Sequence, residues 1–454
     1  MIQTLTQVKR MQYKRFLSSS NQFMAVQGDA GVGKSFALKI AIDKIKQQKY
    51  NVQVLAPYTQ QVKSLKSDGL DNTKTLAAFL SDKKRTINKN SVIVLDEAGI
   101  VSSKQMLALM SIIQKADSRL IMLGDTKQTQ AIEAGKPFYQ LQKYGIETTN
   151  ITEIQRQKDI ELKQIVKDIA ENKIVKSYDD LKNKMDTIQE IKKDEVRYQA
   201  IAKEYTQSLI KNEDVILIVG ENKTRNQLNK MIRQNLGLNN DIQIETLKNI
   251  DMTLAEKQDI KQYQSDSYLK IDNTLYQIKD IDFNTKNLSL INQETKQTSN
   301  IYLDKINKTY LQVFDKNTLE ISTGELIKFT QQDKKNDIAT NDEFIVKNIK
   351  DNIITLKNKQ ENNKIITIDK NQLTYIDYAY TKTIHASQGL TADKTILELD
   401  YRSPTISKNV YYVAVSRARH KVKIYTNDIE KTKAAVQKEQ DKSSSLDISK
   451  SLKF

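Results

Sequence analysis

The chain has 454 residues, which at about 150 residues per domain predicts roughly three compact units. It contains no cysteine and two histidines, His385 and His420, which excludes disulfides, iron–sulfur clusters, thiolate zinc sites, cysteine nucleophiles and histidine-rich metal centres. The formal net charge of +16 favours a polyanionic partner such as nucleic acid, although a Lys-rich composition alone would give the same excess. Since no apolar run could span a membrane and no secretory signal follows the basic N-terminal residues, we expect a cytoplasmic protein.

The first third of the chain alternates short apolar strands with helical patterns. Residues 23–27 form the first predicted strand, and a glycine-containing loop and a helix over about residues 35–48 follow it. Three more predicted strands cover residues 52–56, 92–95 and 120–123. Strands that alternate with helices in this way indicate a parallel, doubly wound sheet.

The rest of the chain contains a second unit of this kind, interrupted by a segment of different character. The second unit starts with a strand at residues 215–219 and a helix over residues 225–235, and its last strands lie at residues 395–399 and 422–425. Between them, residues 268–374 show short alternating strands with hairpin-like turns. This middle segment predicts a small β-barrel inserted into the second α/β unit.

The loop after the first predicted strand has the spacing of a phosphate-binding loop. Gly28, Gly31, Gly33, Lys34 and Ser35 fit the pattern G-x-x-x-x-G-K-[ST], between a predicted strand and a predicted helix. Backbone N–H groups of such a loop cradle phosphate oxygens at the helix N-terminus. We therefore expect Lys34 to reach the β- and γ-phosphates of a nucleotide and Ser35 to ligate Mg²⁺.

Two later strands end in polar residues that suit nucleotide hydrolysis. The strand at residues 92–95 runs into Asp96 and Glu97, of which the first can hold Mg²⁺ and the second can take a proton from the attacking water. The strand at residues 120–123 leads to Gln128, whose amide can contact both the γ-phosphate and the attacking water. Each signal is weak alone, and the second would otherwise be a surface loop, but both gain weight after a phosphate loop.

These three segments, in this order, resemble superfamily 1 helicases, and the resemblance extends over about residues 5–426. Further segments similar to the helicase motifs are Ala56–Thr59, Thr73–Leu80, Glu153–Gln157, Val219–Arg233, Asp377–Gly389 and Tyr412–Arg419. Within the superfamily, the likeness is to the 5′-to-3′ branch, and residues 124–138, 251–260 and 378–389 favour its conjugative type. That branch contains RecD-like enzymes and the helicase part of conjugative relaxases of the TraI/TraA kind.

The resemblance implies an α/β fold in which two RecA-like parallel-sheet domains carry a small SH3-like β-barrel inserted in the second. The domains expected are a first RecA-like domain (1–157), a helical connector (158–213), a second RecA-like domain (214–267 and 375–428), the inserted β-rich domain (268–374) and a polar tail (429–454). ATP would lie in the cleft between the two RecA-like domains.

The resemblance also assigns residues to the second half of the nucleotide site and to a DNA groove. Arg156 and Arg417 would act as arginine fingers on the γ-phosphate, and Gly389 would belong to the nucleotide-binding set. A groove for the backbone of a single DNA strand would be lined by Tyr58, Thr59, Thr75, Thr383, His385 and Ser387.

Two features depart from the family pattern. Lys9 stands where these helicases usually carry a glutamine that reads adenine, which leaves the base selectivity open. The chain also begins directly at the motor, without the histidine-triad nicking domain of conjugative relaxases, so we expect no nicking of that type.

The implied cofactors are ATP and Mg²⁺, and the implied partners are single-stranded DNA and a conjugative relaxase or repair complex, with the chain acting as a monomer on DNA. The function that fits best is a DNA helicase that translocates 5′-to-3′ and is linked to conjugative plasmid transfer. Two alternatives of the same class stay open, a RecD-like recombination or repair helicase and a translocase that does not unwind duplex. An inactive nucleotide-binding scaffold is a third alternative, although every catalytic position carries a competent residue.

Overall fold

The computed structural model describes residues 19–128, 135–151, 154–238, 240–308, 311–333, 335–361 and 363–439, without the side chains of residues 35–37. The chain divides into two compact units. One unit lies within Met1–Leu236 and Tyr380–Phe454, and the other within Gly237–Ala379. No described helix is long and apolar enough to cross a membrane.

The first sheet lies near the start of the chain and is built from six strands. They are β1 (Phe23–Gly28), β2 (Asn51–Ala56), β3 (Thr73–Thr75), β4 (Ser91–Leu95), β5 (Arg119–Gly124) and β6 (Thr148–Ile151). All neighbours are parallel, in the order β3-β2-β4-β5-β1-β6. Every residue of β4 is buried, as expected of a central strand covered on both faces.

Helices connect these strands, and several begin at a side chain that caps the helix N-terminus. The helices of this half are Lys34–Gln47, Thr59–Ser67, Leu76–Ser81, Ser103–Lys115 and Pro137–Lys143. The hydroxyl of Ser102, for example, accepts a hydrogen bond from the backbone N–H of Gln105. Such a cap satisfies one of the N–H groups that the first turn of a helix leaves unpaired.

The chain then enters the second sheet through a mainly helical region. Its elements are the helices Ile160–Ala170 and Ile174–Asn183, strand β7 (Ile188–Glu190), helix Asp194–Ile210, strand β8 (Val215–Val219) and helix Asn222–Asn235. The expected connector at residues 158–213 is thus largely helical, but its strand β7 belongs to the edge of the second sheet. Three residues are too few for a recognisable strand pattern.

The unit within Gly237–Ala379 contains two antiparallel sheets. Its strands are β9 (Ile242–Ile250), β10 (Tyr268–Ile271), β11 (Thr274–Asp282), β12 (Asn287–Asn292), β13 (Thr298–Tyr302), β14 (Gln312–Ile321), β15 (Leu326–Phe329), β16 (Glu343–Lys350), β17 (Ile353–Asn358), β18 (Ile365–Asp369) and β19 (Ile376–Tyr378). The sheet orders are β13-β12-β11-β10-β14-β9 and β18-β17-β16-β15-β19. Neither sheet closes into a barrel among the described residues, so the SH3-like barrel is not confirmed.

This β-rich unit begins earlier than residue 268, because β9 pairs with β14 along nine residues. The first and last strands of the unit are also joined to each other. The backbone N–H of Leu247, in β9, donates to the carbonyl oxygen of Thr374, two residues before β19, at 2.8 Å. The two ends of the unit are therefore adjacent.

After the β-rich unit, the chain returns to complete the second parallel sheet. The remaining elements are β20 (Thr381–Thr383), helix Ile384–Ser387, β21 (Ala392–Leu399), helix Lys408–Val415, β22 (Ala418–Thr426) and helix Ile429–Ala435. The sheet order is β20-β8-β21-β22-β7, with all neighbours parallel. The predicted α/β class with parallel sheets is confirmed.

One apolar cluster of buried side chains contains residues of both parallel sheets and of the helix Lys408–Val415. It includes Val26 and Ile121 from the first sheet, Leu397 and Ile424 from the second, and Val413 from the helix. This helix is therefore fixed by the core where the polar ends of the two sheets come together.

Candidate nucleotide-hydrolysis site

The predicted phosphate loop joins β1 to the helix Lys34–Gln47. Gly31 and Gly33 both have φ of +79°, a left-handed backbone that glycine adopts without the penalty of a Cβ. A Cβ on Gly31 would lie 2.7 Å from the Cβ of Arg156, so this position has no room for a side chain. The carbonyl oxygen of Gly31 accepts hydrogen bonds from the backbone N–H groups of Gln155 and Arg156, at 2.7 and 2.9 Å. The loop and the Arg156 segment are thus held together.

Lys34 lies in the mouth of this loop. Its Nζ donates to the carbonyl oxygen of Gly28 at 2.8 Å, a bond that a phosphate oxygen can replace. A neighbouring ion pair joins Lys127 Nζ to Asp29 Oδ1 at 2.6 Å and ties the loop to the segment after β5. The side chain of Ser35, the other expected Mg²⁺ ligand, lies outside the described part of the structure.

Asp96 and Glu97 follow the central strand β4. Asp96 is buried and accepts a hydrogen bond from the backbone N–H of Glu97 at 3.0 Å. Burial, and next the charge of Glu97, raise the pKa of Asp96 to about 7, while Lys34 acts in the opposite direction. A carboxylate short of positive charge is a suitable oxygen ligand for Mg²⁺, and the residues present fit that ion.

Glu97 is set in a strained turn that packs against the neighbouring strand end. Its φ is 51°, in the left-handed region that costs a residue with a Cβ some free energy. Two residues later, a Cβ on Gly99 would lie 2.7 Å from the carbonyl oxygen of Asp125. Only glycine permits this approach, which brings the Glu97 turn against the loop that carries Gln128. The Nε2 of Gln128 donates to Asp125 Oδ2 at 3.2 Å.

The structure brings the two predicted arginine fingers together. Arg156 Nη1 donates to the carbonyl oxygen of Ser416 at 3.0 Å, and Arg417 Nε donates to that of Val413 at 2.9 Å. Burial, followed by the charge of Arg417, lowers the pKa of Arg156 to about 9, so the guanidinium stays charged at neutral pH. Burial likewise lowers the pKa of Arg417, and in both cases the Glu97 carboxylate acts in the opposite direction. The two cations therefore lie within electrostatic reach of Glu97.

Gln157, which the sequence analysis left without a role, joins this arrangement. Its Nε2 donates to the carbonyl oxygens of Ser416 and Ala418, at 3.1 and 2.8 Å. These carbonyls flank Arg417, so the segment that carries Arg156 also holds the backbone of Arg417. The signal for Gln157 in the sequence was its place directly after a predicted arginine finger, in the same helicase-like segment.

Two further residues without a predicted role lie on the helix Lys408–Val415. The Tyr412 hydroxyl accepts from the backbone N–H of Ala30 at 2.6 Å and donates to Asp125 Oδ2 at 3.1 Å. Asn409 Nδ2 donates to the carbonyl oxygen of Gln128 at 3.1 Å. The signals in the sequence were the place of Tyr412 at the start of a helicase-like segment and the spacing of two polar groups three residues apart, which places them on one helix face.

The predicted DNA-contact residues lie mainly at helix starts. Thr75 Oγ1 accepts from the N–H of Ala78, and Thr383 Oγ1 from that of Ala386, at 3.2 and 3.4 Å. Both threonines are therefore N-caps of short helices that follow strands. Thr59 is the first residue of the helix Thr59–Ser67, and Tyr58, which precedes it, has 47% of its surface exposed.

The last two predicted contact positions, and Gly389 of the predicted nucleotide-binding set, lie together after β20. His385 is exposed, whereas Ser387 is fully buried and its hydroxyl donates to the carbonyl oxygen of Ile384 at 2.7 Å. Ser387 therefore holds the turn instead of lining a surface. Gly389 has φ of +78°, and a Cβ there would lie 3.9 Å from the side chain of Gln61, in the helix that follows Tyr58. Gly389 thus lies close to the helix that starts at Thr59, and its predicted place in the nucleotide-binding set stays a prediction.

Two family models match the chain. The model described as "AAA domain" matches residues 4–193, and the one described as "Viral superfamily 1 RNA helicase core domain" matches residues 291–426. The first contains the phosphate loop, Asp96 and Glu97, and the second contains Arg417.

Curated relatives include two kinds of conjugation protein. The multifunctional conjugation protein TraI of Escherichia coli K12 is 23% identical over 489 residues, which cover 94% of this chain and 28% of TraI. The probable conjugal transfer protein TraA of Sinorhizobium fredii is 30% identical over 125 residues, which cover 27% of this chain and 11% of TraA. The chain thus spans less than a third of the length of these relatives.

Solved structures with a similar fold include Pif1 helicases. Bacteroides Pif1 in complex with ADP-AlF3 and single-stranded DNA has a TM-score of 0.55 at 17% identity, covering 96% of this chain and 95% of Pif1. Candida albicans Pif1 has a TM-score of 0.52 at 14% identity, covering 99% of both chains. The family models and the similarity to TraI, together with the phosphate loop and its partners, support a superfamily 1 helicase, an ATP-hydrolysing enzyme.

Proposed function

We propose that the chain is an ATP-dependent DNA helicase that translocates 5′-to-3′ along single-stranded DNA and takes part in conjugative plasmid transfer. The observation that carries the proposal is the convergence of Glu97, Arg156 and Arg417 beside the phosphate loop. Arg417 comes from the second sheet and Glu97 from the first. Hydrolysis at such a site depends on both sheets.

Each residue would have a separate task in hydrolysis. Lys34 would bind the β- and γ-phosphates, and Asp96, together with Ser35, would hold Mg²⁺, which neutralises phosphate charge when bound. Glu97 would accept the proton of the attacking water, since its carboxylate is half-buried and lies near the two arginines. Gln128 would orient that water.

Arg156 and Arg417 would stabilise the charge that develops on the γ-phosphate in the transition state. Each guanidinium now donates to backbone carbonyl oxygens, which are weaker partners than phosphate. An exchange of partners on nucleotide binding therefore costs little and gives these arginines their catalytic contacts. Because Arg417 adjoins β22, the exchange would also move the second sheet relative to the nucleotide.

Single-stranded DNA would bind along the helix starts that carry Tyr58, Thr59, Thr75, Thr383 and His385. Hydroxyl groups at helix N-termini suit phosphate contacts without reading the base sequence. Ser387 would act by holding the turn that presents His385, and Gly389 by allowing close approach of the strand. The Bacteroides Pif1 structure contains single-stranded DNA on a similar fold, which supports this choice of partner.

The link to plasmid transfer is supported by the relatives, whereas the direction of movement rests on the resemblance to the 5′-to-3′ branch. TraI and TraA are conjugation proteins, which favours a conjugative relaxase over a repair complex as the protein partner. We infer that the β-rich unit corresponds to the SH3-like module of the 5′-to-3′ branch, in an open form. The chain would act as a cytoplasmic monomer on DNA.

A phosphate-release assay with and without single-stranded DNA tests the motor. We expect hydrolysis of ATP with Mg²⁺ and a clear increase when a single strand is added, because the groove and the nucleotide site share the second sheet. No hydrolysis under either condition would favour the inactive scaffold. Partial duplexes with one 5′ or one 3′ tail test the direction. Unwinding of only the 3′-tailed duplex would refute 5′-to-3′ movement. Unwinding of neither duplex would favour the alternative of a translocase that does not unwind DNA.

A further inference from the structure

We propose that Tyr412 is a positioning residue for ATP hydrolysis, whose hydroxyl makes the reaction depend on the docking of the second sheet against the first. The inference rests on the proposed function. Tyr412 belongs to the helix Lys408–Val415 of the second half of the motor unit, yet both hydrogen-bond partners of its hydroxyl belong to the first half.

The first partner is the phosphate loop itself. Ala30 lies inside the loop, and its backbone N–H donates to the Tyr412 hydroxyl at 2.6 Å. The tyrosine side chain is only 2% exposed, so this bond is shielded from water. A buried N–H without a partner is costly, and the loop therefore has its lowest free energy when the tyrosine is docked.

The second partner leads to the residue expected to orient the attacking water. The hydroxyl of Tyr412 donates to Asp125 Oδ2 at 3.1 Å, and the same oxygen accepts from Gln128 Nε2 at 3.2 Å. The other oxygen of Asp125 accepts from the backbone N–H of Lys127 and from Gln27 Nε2, at 3.0 and 3.1 Å. Asp125 is thus fixed on both oxygens, and Tyr412 contributes a bond from the helix Lys408–Val415 of the second half.

The chemistry of the hydroxyl suits this arrangement. A phenol has one hydrogen to donate and can accept at its oxygen, and Tyr412 uses both capacities. Burial, followed by the carboxylates of Asp125 and Asp29, raises the pKa of Tyr412 well above its ordinary value. The hydroxyl therefore keeps its proton at neutral pH and can donate it in the hydrogen bond to Asp125.

Asn409 supports the same docking from one helical turn away. Its Nδ2 donates to the carbonyl oxygens of Lys127 and Gln128, at 3.0 and 3.1 Å. Asn409 and Tyr412 are three residues apart and so share one face of the helix. Through this face the helix binds the Asp125 side chain and the backbone of the loop that carries Gln128. Neither contact requires Tyr412 or Asn409 to touch the phosphates. Tyr412 and Asn409 are for this reason positioning residues.

The neighbouring tyrosine provides a matched control. Tyr411 is also fully buried, but its hydroxyl pairs with Ser177 Oγ at 3.3 Å, away from the phosphate loop. The variants Tyr412→Phe and Tyr411→Phe each remove one buried hydroxyl from the same helix. Loss of packing or of helix stability should therefore affect the two variants alike.

We expect Tyr412→Phe to lower the DNA-stimulated kcat by about tenfold while changing the KM for ATP by less than about twofold, because binding contacts remain and positioning is lost. The ratio of the rates with and without single-stranded DNA should fall towards one. Tyr411→Phe should keep the wild-type kcat and the wild-type ratio. Thermal unfolding of both variants gives the folded fraction by which the rates are normalised.

The outcomes separate this inference from the proposed function. If the wild-type chain hydrolyses no ATP, the proposed function fails. If the wild-type chain is active and Tyr412→Phe retains its kcat and its DNA stimulation, the role of Tyr412 is refuted. If Tyr412→Phe does not fold, Asn409→Ala replaces it, since that side chain is only half-buried. Wild-type stimulation in Asn409→Ala would then overturn the proposal, and a reduced ratio would support it.

Discussion

The two parallel sheets each end a central strand with a pair of carboxylates, but the two pairs have different surroundings. In the first sheet, Asp96 and Glu97 follow β4. In the second, Glu398 lies at the end of β21 and Asp400 follows it. Burial is the main cause that raises the pKa of Asp96 and of Glu398 to about 7. As carboxylates at strand ends, the two pairs look alike.

The cations around them differ. Arg197 is fully buried, and its Nη2 lies 3.2 Å from Glu398 Oε1 and 3.0 Å from Asp400 Oδ2. Arg402 forms hydrogen bonds with Asp400 as well. No arginine or lysine of the described chain forms an ion pair of this kind with Asp96, and the positive charge that acts on its pKa is that of Lys34. Carboxylates at a strand end therefore have a structural role where arginines of the chain form ion pairs with them. They stay available for catalysis where no such ion pair forms.

The largest expected effect is on turnover and compares Arg417, beside Glu97, with Arg402, beside Asp400. Arg417→Ala should lower turnover by about 10³–10⁵ with a much smaller loss of nucleotide affinity, because an arginine finger acts mainly in the transition state. The matched variant Arg402→Ala should keep wild-type turnover. Single-turnover hydrolysis and nucleotide titration separate the two quantities. Loss of ATP binding with retained turnover would make Arg417 a ground-state ligand.

The next effect compares the carboxylates themselves. Glu97→Gln should lower the hydrolysis rate by about 10²–10⁴ and still bind ATP, because the residue that accepts the proton is removed. Glu398→Gln should hydrolyse ATP at the wild-type rate per folded molecule. Phosphate release and nucleotide binding, measured on both variants, test the contrast. A near wild-type rate in Glu97→Gln would remove that residue from the mechanism.

The stability of Glu398→Gln should reveal the raised pKa of the buried carboxyl. Because the pKa of Glu398 in the fold is about 7 and its ordinary value is 4.5, protonation stabilises the fold, and this contribution is lost as the pH rises. The stability of the wild type relative to Glu398→Gln should therefore fall by about 3 kcal/mol between pH 4.5 and 7, and level off above that. Urea unfolding over this range measures it. A constant difference would mean that Arg197 keeps Glu398 ionised.

The smallest expected effect is on stability and compares Arg402 with Arg197, which both pair with Asp400. The Arg402 side chain is 50% exposed, so its removal should lower the free energy of unfolding by no more than about 1 kcal/mol. Arg197→Met should cost about 3–5 kcal/mol, because it leaves the buried carboxylate of Glu398 without its cation. Urea unfolding of both variants compares them. Equal losses in the free energy of unfolding would show that the exposure of an arginine does not decide how much its ion pairs stabilise the fold.

The sequence predicted those parts of the site that lie within short, continuous segments. The phosphate loop needs only the eight residues 28–35, which begin with the last residue of β1, and Asp96 and Glu97 need only an apolar strand before them. The role of Tyr412 could not be predicted, since its partners Ala30 and Asp125 are 382 and 287 residues away along the chain. Ser387 shows the same limit, because a motif does not tell which hydroxyl of a short turn faces inward.

The fold follows the same rule. The parallel sheets were predictable because their strands are continuous apolar runs with helices between them. Strand β7, with three residues, and strand β9, which pairs with β14 across more than sixty residues of chain, carry no local pattern of comparable strength. The expected barrel depended on how antiparallel strands close upon themselves, which the alternation of residues does not encode.

The hydrogen bond between Leu247 and Thr374 brings the first strand of the β-rich unit next to the segment that precedes its last strand. The strands that precede and follow the unit in the motor, β8 and β20, are likewise neighbours, with Leu217 opposite Thr381. A segment attached in this way can be lost, lengthened or exchanged for an unrelated one by a single recombination event at each side, without breaking a sheet of the host. The β-rich unit can therefore change in sequence and in size during evolution without disturbing the two parallel sheets.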